Sequence, residues 1–69
     1  MSKKRPTPNR LLELRASKNW TQEDVSVRTG YSQPTIQRHE SGQRDLDGAA
    51  IDRYAMAYGV KPHQIFIEG

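Results

Sequence analysis

The chain has no cysteine in its 69 residues. That excludes a disulfide framework and any thiolate metal site. Its two histidines, His39 and His63, are far apart and have no carboxylate at ligand spacing. They are not expected to hold a metal, and no cofactor is expected. Glycines are too scattered to form a phosphate-cradling loop. No paired catalytic carboxylates are evident, and Ser32 does not stand in a G-x-S-x-G turn. An enzymatic role is therefore not expected. No apolar run approaches the length of a membrane span, and no signal-peptide core is present. A soluble, cytoplasmic protein is the expectation. The length fits one domain with a small core.

Acidic residues are missing from the first ten positions, which hold Lys3, Lys4, Arg5 and Arg10. The remaining seven cations face eight acids, so the net charge of +3 is concentrated at the N-terminus. Pro6 and Pro8 keep that segment out of a helix. Residues 1–8 read either as a basic arm laid on phosphates or as a solvated terminus. Residues 9–69 form the domain proper.

The most informative stretch is Gln22 to Ser41, QEDVSVRTGYSQPTIQRHES. Thr21 can cap a helix, with Asp24 as its capping-box partner. Gly30 stands where a chain leaving a helix turns with positive φ. Ser32 can cap a second helix, with Pro34 in its first turn. Two short helices joined by a few residues containing Gly make a helix-turn-helix motif, whose second helix enters the DNA major groove.

The rest of the chain reads as helices too. Leu11 and Leu14 share one helical face, capped by Asn9 or Thr7, and Leu12 points away. Trp20 is expected to pack against the first and third helices. Asp47 can cap a fourth helix, in which Ile51, Tyr54, Ala55 and Tyr58 form a buried stripe that Gly59 ends. Pro62 fits the first turn of a fifth, with Ile65 and Phe66 facing inward. No period-two alternation marks a strand.

The pattern resembles the phage repressor and Cro family, often called XRE-like. The carriers are Gln22, Val25, Ser26, Gly30, Tyr31, Ser32, Ile36, Glu40, Ser41 and Gly42. The likeness runs from about Asn9 to Ile67. Thr29 and His39 depart from it, since those positions are usually Leu or Ile. The resemblance implies an all-α, compact five-helix lambda-repressor-like domain that binds double-stranded DNA as a transcriptional regulator, most simply a repressor. It implies base contacts by Gln33 and Arg38, with Gln suited to adenine and Arg to guanine. Pro34 and Gln37 are further candidates, although Pro34 can only touch a thymine methyl.

Phosphate contacts are expected from Thr21 and Gln22 at a helix start. Others are expected from Thr35, from Ser41, Gln43 and Arg44 after the second helix, and from Lys3, Lys4, Arg5 and Arg10. Arg44 has an alternative fate in pairing with Asp45 or Asp47. Asp45 is expected to face away from DNA. The family counterparts of Arg15 and Glu40 form a buried ion pair, which the resemblance carries to these two. His39 is expected at the core edge.

A homodimer on a palindromic operator is the expected assembly, with Ile65, Phe66 and Ile67 too apolar to be buried all at once. The competing reading is a protein-interaction module of the same fold, antitoxin-like or adaptor. The ending at Gly69 also resembles the end of the DNA-binding domain in longer repressors.

The arm has its own test. Deleting residues 1–5 is expected to lower DNA affinity without changing site preference. Each cation seated on a phosphate adds about 0.9 to the slope of log affinity against log salt, so the deletion should flatten that plot. An unchanged slope shows that the arm does not touch DNA.

Overall fold

A computed structural model describes residues 9–67. Among these residues lie four α-helices: α1 (Leu11–Ser17), α2 (Gln22–Thr29), α3 (Gln33–Ser41) and α4 (Gly48–Tyr58). A single 3-10 turn, Pro62–Ile65, follows. No strand occurs among the described residues, and no helix there is long and apolar enough to cross a membrane.

The expected fifth α-helix is thus corrected to a 3-10 turn. Its backbone bonds are of the short i, i+3 kind, the Gln64 N–H donating to the Lys61 carbonyl at 2.9 Å and the Phe66 N–H to the His63 carbonyl at 3.1 Å. The turn is also held by the Gln64 side chain, which accepts from the Lys61 N–H at 2.9 Å. Its tie to the body is the Arg10 N–H, which donates to the Ile65 carbonyl at 2.7 Å.

The helix starts follow from local chemistry. Arg10, not Asn9, stands at the N-cap of α1 and makes no side-chain cap bond; the Asn9 Oδ1 just before it accepts from the Leu11 N–H at 3.0 Å. Thr7, the other candidate cap, lies outside the described residues. Asn9 also reaches across the fold, its Nδ2 donating to the His39 carbonyl at 2.9 Å. This one buried amide joins the start of α1 to the end of α3. Asp47 caps α4 through the Ala50 N–H at 2.8 Å.

The core is built from Leu11, Leu14, Val25, Ile36, Ala50, Tyr54, Ala55, Tyr58 and Ile65. Ile51 is only half-buried at its edge. Leu12 is exposed, as its helical phase requires. Trp20 differs from expectation. It stacks on Tyr58 of α4 at 5.5 Å, and the Arg28 guanidinium of α2 lies 4.1 Å from its ring centre. Its ring contacts lie on α4 and α2, while its carbonyl is held by Arg15 of α1 at 3.1 Å. Phe66 is also corrected: it is 43% exposed, whereas Ile65 is fully buried. One turn has one inward face, and Ile65 occupies it.

Arg15 and Glu40 bridge α1 and α3. Arg15 Nε lies 2.6 Å from Glu40 Oε2, and Arg15 Nη2 lies 3.2 Å from Oε1. The side chains are 19% and 6% exposed, so the pair is largely removed from water. The bond to Glu40 holds the Arg15 pKa above its ordinary value, against the effect of burial. Glu40→Ala is expected to strand the Arg15 charge and cost roughly 3–5 kcal/mol. That is a large share of the stability of a small domain, about 5–15 kcal/mol. Thermal melts are expected to show a largely unfolded variant, with Arg15→Met/Glu40→Leu recovering much of the stability. A fall of only a few degrees shows a solvated pair.

Candidate nucleic-acid interface

The interface is assembled from α2, the turn and α3. Thr21 and Asp24 form a full capping box: Thr21 Oγ1 accepts from the Asp24 N–H at 3.1 Å, and Asp24 Oδ2 accepts from the Thr21 N–H at 2.9 Å. The Thr21 bonds hold the Asp24 pKa below the usual carboxylate range.

At the other end of α2, Gly30 takes φ +85, where a side chain is strained. Thr29 is buried, and its hydroxyl is satisfied twice. It donates to the Val25 carbonyl at 2.8 Å and accepts from the Tyr31 N–H at 3.2 Å. A polar residue is thereby accommodated at a position expected to be apolar. Arg53 of α4 closes the helix end, its Nη1 donating to the Thr29 carbonyl at 2.8 Å. Sequence spacing points neither to this bond nor to that of Asn9 with His39, because both span the fold and leave no local signal.

Ser32 caps α3 by accepting from the Thr35 N–H at 3.3 Å, and its own hydroxyl donates to Thr35 Oγ1 at 2.9 Å. Helical phase then divides α3 into two sides. Ile36, His39 and Glu40 are buried. Gln33, Pro34, Gln37, Arg38 and Ser41 are exposed. Among the described residues, the side chains of Gln33, Gln37 and Arg38 make no hydrogen bond or ion pair within the protein. The outer side of α3 therefore presents two amides and a guanidinium free to bond elsewhere.

The expected phosphate ligands fall into separate groups. Thr35 is half-buried and shares a cleft of about 200 Å³ with Tyr31, His39 and Arg44. Asp45 and Asp47 line that cleft too, but Arg44 forms no ion pair with either. The Ser41 hydroxyl donates to the Arg38 carbonyl at 3.2 Å and accepts from the Gln43 N–H at 3.4 Å, so it closes the end of α3. Gln43 and Arg44 are exposed just beyond it. The Gln22 amide donates to Glu40 Oε1 at 3.2 Å and is half-buried.

Arg10 is bonded within the domain. Its guanidinium donates to the Gln64 and Ile67 carbonyls at 2.9 and 3.4 Å and pairs with Glu13 at 3.2 Å. It ties the C-terminal turn to the start of α1. Lys3, Lys4 and Arg5 lie outside the described residues.

A family model described as a helix-turn-helix domain matches residues 9–65. The chain belongs to the helix-turn-helix domain family. It is an XRE-like, DNA-binding regulator. The domain is also similar to the crystal structure of the restriction-modification controller protein C.AhdI from Aeromonas hydrophila. The identity is 32% and the TM-score 0.78, over 83% of this chain and 86% of that one. No curated protein matches the chain.

The buried side of α3 holds the second departure from the family pattern. His39 is 3% exposed, and its Nδ1 shares a 2.8 Å hydrogen bond with the Tyr54 hydroxyl. Its ring meets Tyr31 and Tyr54 edge-on. Burial pushes the His39 pKa down, the Arg44 charge adds to this, and Asp47 opposes it. The unfolded chain takes up this proton near pH 6.5, and the folded one only at lower pH. The unfolded state therefore binds more protons in between, so stability is intact at neutral pH and falls as pH drops below about 6.5. Melting temperature is expected to decline from pH 7 to 5. His39→Gln, which leaves Tyr54 a partner, should flatten that decline. An equal decline in the variant places its origin elsewhere.

Proposed function

We propose that this helix-turn-helix domain binds a specific palindromic DNA operator as a homodimer and controls transcription, most simply as a repressor. The observation that carries the reading is the division of α3. One side is locked into the core through Ile36, His39 and Glu40, and the other offers Gln33, Gln37 and Arg38 to solvent with no protein partner. A rigid helix with unpaired donors and acceptors on its outer side suits direct readout of base edges. Gln33 and Arg38 are the main readers, with Gln37 beside them. Pro34 leaves its position to a thymine methyl or unread.

Backbone contacts set the register. The α2 start, with Thr21 and Gln22, meets a phosphate on one side of the groove. Thr35, Ser41, Gln43 and Arg44 meet the backbone on the other. Likeness to a restriction-modification controller protein supports a regulatory role.

The dimer surface lies at the C-terminal turn. Ile65 is fully buried and cannot contribute, which narrows the expected trio to Phe66 and Ile67, 43% and 57% exposed. Leu12 and Ala16 of α1 line a cleft with Phe66 and extend the apolar surface.

Sequences selected from a random duplex library supply the operator for the test. Titration is expected to reach two protomers per palindrome. Arg38→Ala is expected to lose about 1–3 kcal/mol per half-site and relax preference at one base position. Gln33→Ala should do the same at another position, and Gln22→Ala should weaken all sequences alike. Circular dichroism first establishes that each variant is folded. Full base preference in Arg38→Ala overturns the placement of α3 in the groove.

A further inference from the structure

The clefts of the described surface differ in charge. The one beside Phe66 holds Arg10 paired with Glu13. The one at Thr35 sets Arg44 among Asp45 and Asp47. Another, of about 470 Å³, lies between the C-terminal end of α2 and the outer side of α4. Its lining is Arg28, Thr29, Arg53, Met56 and Ala57, two cations and no carboxylate.

Both guanidiniums are oriented by the protein. Arg28 lies 4.1 Å from the Trp20 ring centre, and its Nη1 donates to the Asp24 carbonyl at 3.2 Å. Arg53 lies 5.5 Å from the Tyr31 ring centre, and its Nη1 donates to the Thr29 carbonyl at 2.8 Å. Among the described residues neither forms an ion pair, and their Nε and Nη2 make no bond within the protein. A guanidinium already stacked and anchored loses little freedom when a carboxylate arrives, and its planar fork matches two oxygens. Met56 supplies the apolar part. It is 84% exposed, more than any other large hydrophobic side chain described. A single exposed methionine is ordinary, but this one stands beside two oriented cations, and its unbranched thioether adapts to varied apolar side chains.

We propose that this cleft docks an acidic segment of a partner protein, whose carboxylates bond Arg28 and Arg53 and whose apolar side chain covers Met56. A nucleic-acid backbone would use the cations and leave Met56 in water. The cleft also lies off the proposed DNA side. The length of α2 sets it about 10 Å from Thr21 and Gln22, and no residue of α3 lines it. Partner and duplex therefore fit the domain together.

The probe is a short synthetic peptide of glutamate and leucine, with the leucines at helical spacing. One companion peptide carries glutamine for every glutamate, and another serine for every leucine. Each is titrated into the isotope-labelled full chain and followed by NMR. The glutamate–leucine peptide is expected to shift the amide signals of Arg28, Thr29, Arg53, Met56 and Ala57, and to leave those of Gln33, Gln37 and Arg38 in place. The glutamine peptide should bind about tenfold more weakly and the serine peptide about fivefold. Arg28→Gln and Met56→Gln change exposed side chains and should melt close to the wild-type temperature. They should weaken the peptide about tenfold and about threefold. An unrelated duplex should leave the five cleft signals unmoved.

No shift with the glutamate–leucine peptide at millimolar concentration overturns the proposal. A serine peptide that binds as tightly also overturns it, by reducing the site to bare charge attraction. Full binding by both Arg28→Gln and Met56→Gln overturns it by placing the contact elsewhere. A duplex that shifts the five cleft residues, where the peptide does not, assigns the cleft to nucleic acid and overturns it too.

Discussion

The ion pair between Arg15 and Glu40 is the constraint on which the interface depends. Its guanidinium comes from α1 and its carboxylate from the buried side of α3. The same carboxylate accepts from Gln22 at the start of α2, and the same guanidinium holds the Trp20 carbonyl in the loop between α1 and α2. Three helices and a loop thus converge on one pair of charges. Removing two charges from water offsets much of what their attraction contributes, so the pair adds little net stability. What it does supply is geometry. A bidentate guanidinium–carboxylate contact admits a narrow range of orientations, and that narrowness fixes how α3 is rotated and therefore which side chains it turns outward.

A second set of polar contacts holds the other flank of α3. His39 bonds Tyr54 through its ring and receives Asn9 through its carbonyl. The aromatic rings of Tyr31, His39, Tyr54, Tyr58 and Trp20 form a continuous series of contacts from the turn to the α1–α2 loop. In a domain with so few aliphatic core residues, these flat rings bury much apolar area while their polar atoms specify partners. The cost is sensitivity: each buried polar atom needs its own bond. Thr29 and His39 show how a polar residue replaces the family's usual aliphatic one when such a bond is at hand.

The exposed side of α3 is the complement of this arrangement. Because Glu40, His39 and Ile36 are committed inward, helical phase alone turns Pro34, Gln37, Arg38 and Ser41 outward, with Gln33 at the helix tip. The caps at Thr21 and Ser32 and the left-handed Gly30 set where each helix begins and how the second leaves the first. Packing and the proposed recognition thus lie on opposite sides of one nine-residue helix.

The sequence by itself determined the helix starts at Thr21, Ser32 and Asp47, the break at Gly30, and the buried stripe through Tyr54, Ala55 and Tyr58. These features are legible because their physics is local. A cap bonds a backbone N–H three residues on, and a stripe repeats at the helical period. The tertiary structure alone decided that Arg10 clamps the C-terminal turn, that Trp20 stacks on Tyr58, that Asn9 and Arg53 bond the carbonyls of His39 and Thr29, and that Gln22 leans on Glu40. Most of these partners lie 18 to 54 residues apart in the chain. No spacing rule reaches that far, because such bonds form only after the helices have docked, and the docking geometry selects which of several chemically equivalent donors arrives within reach.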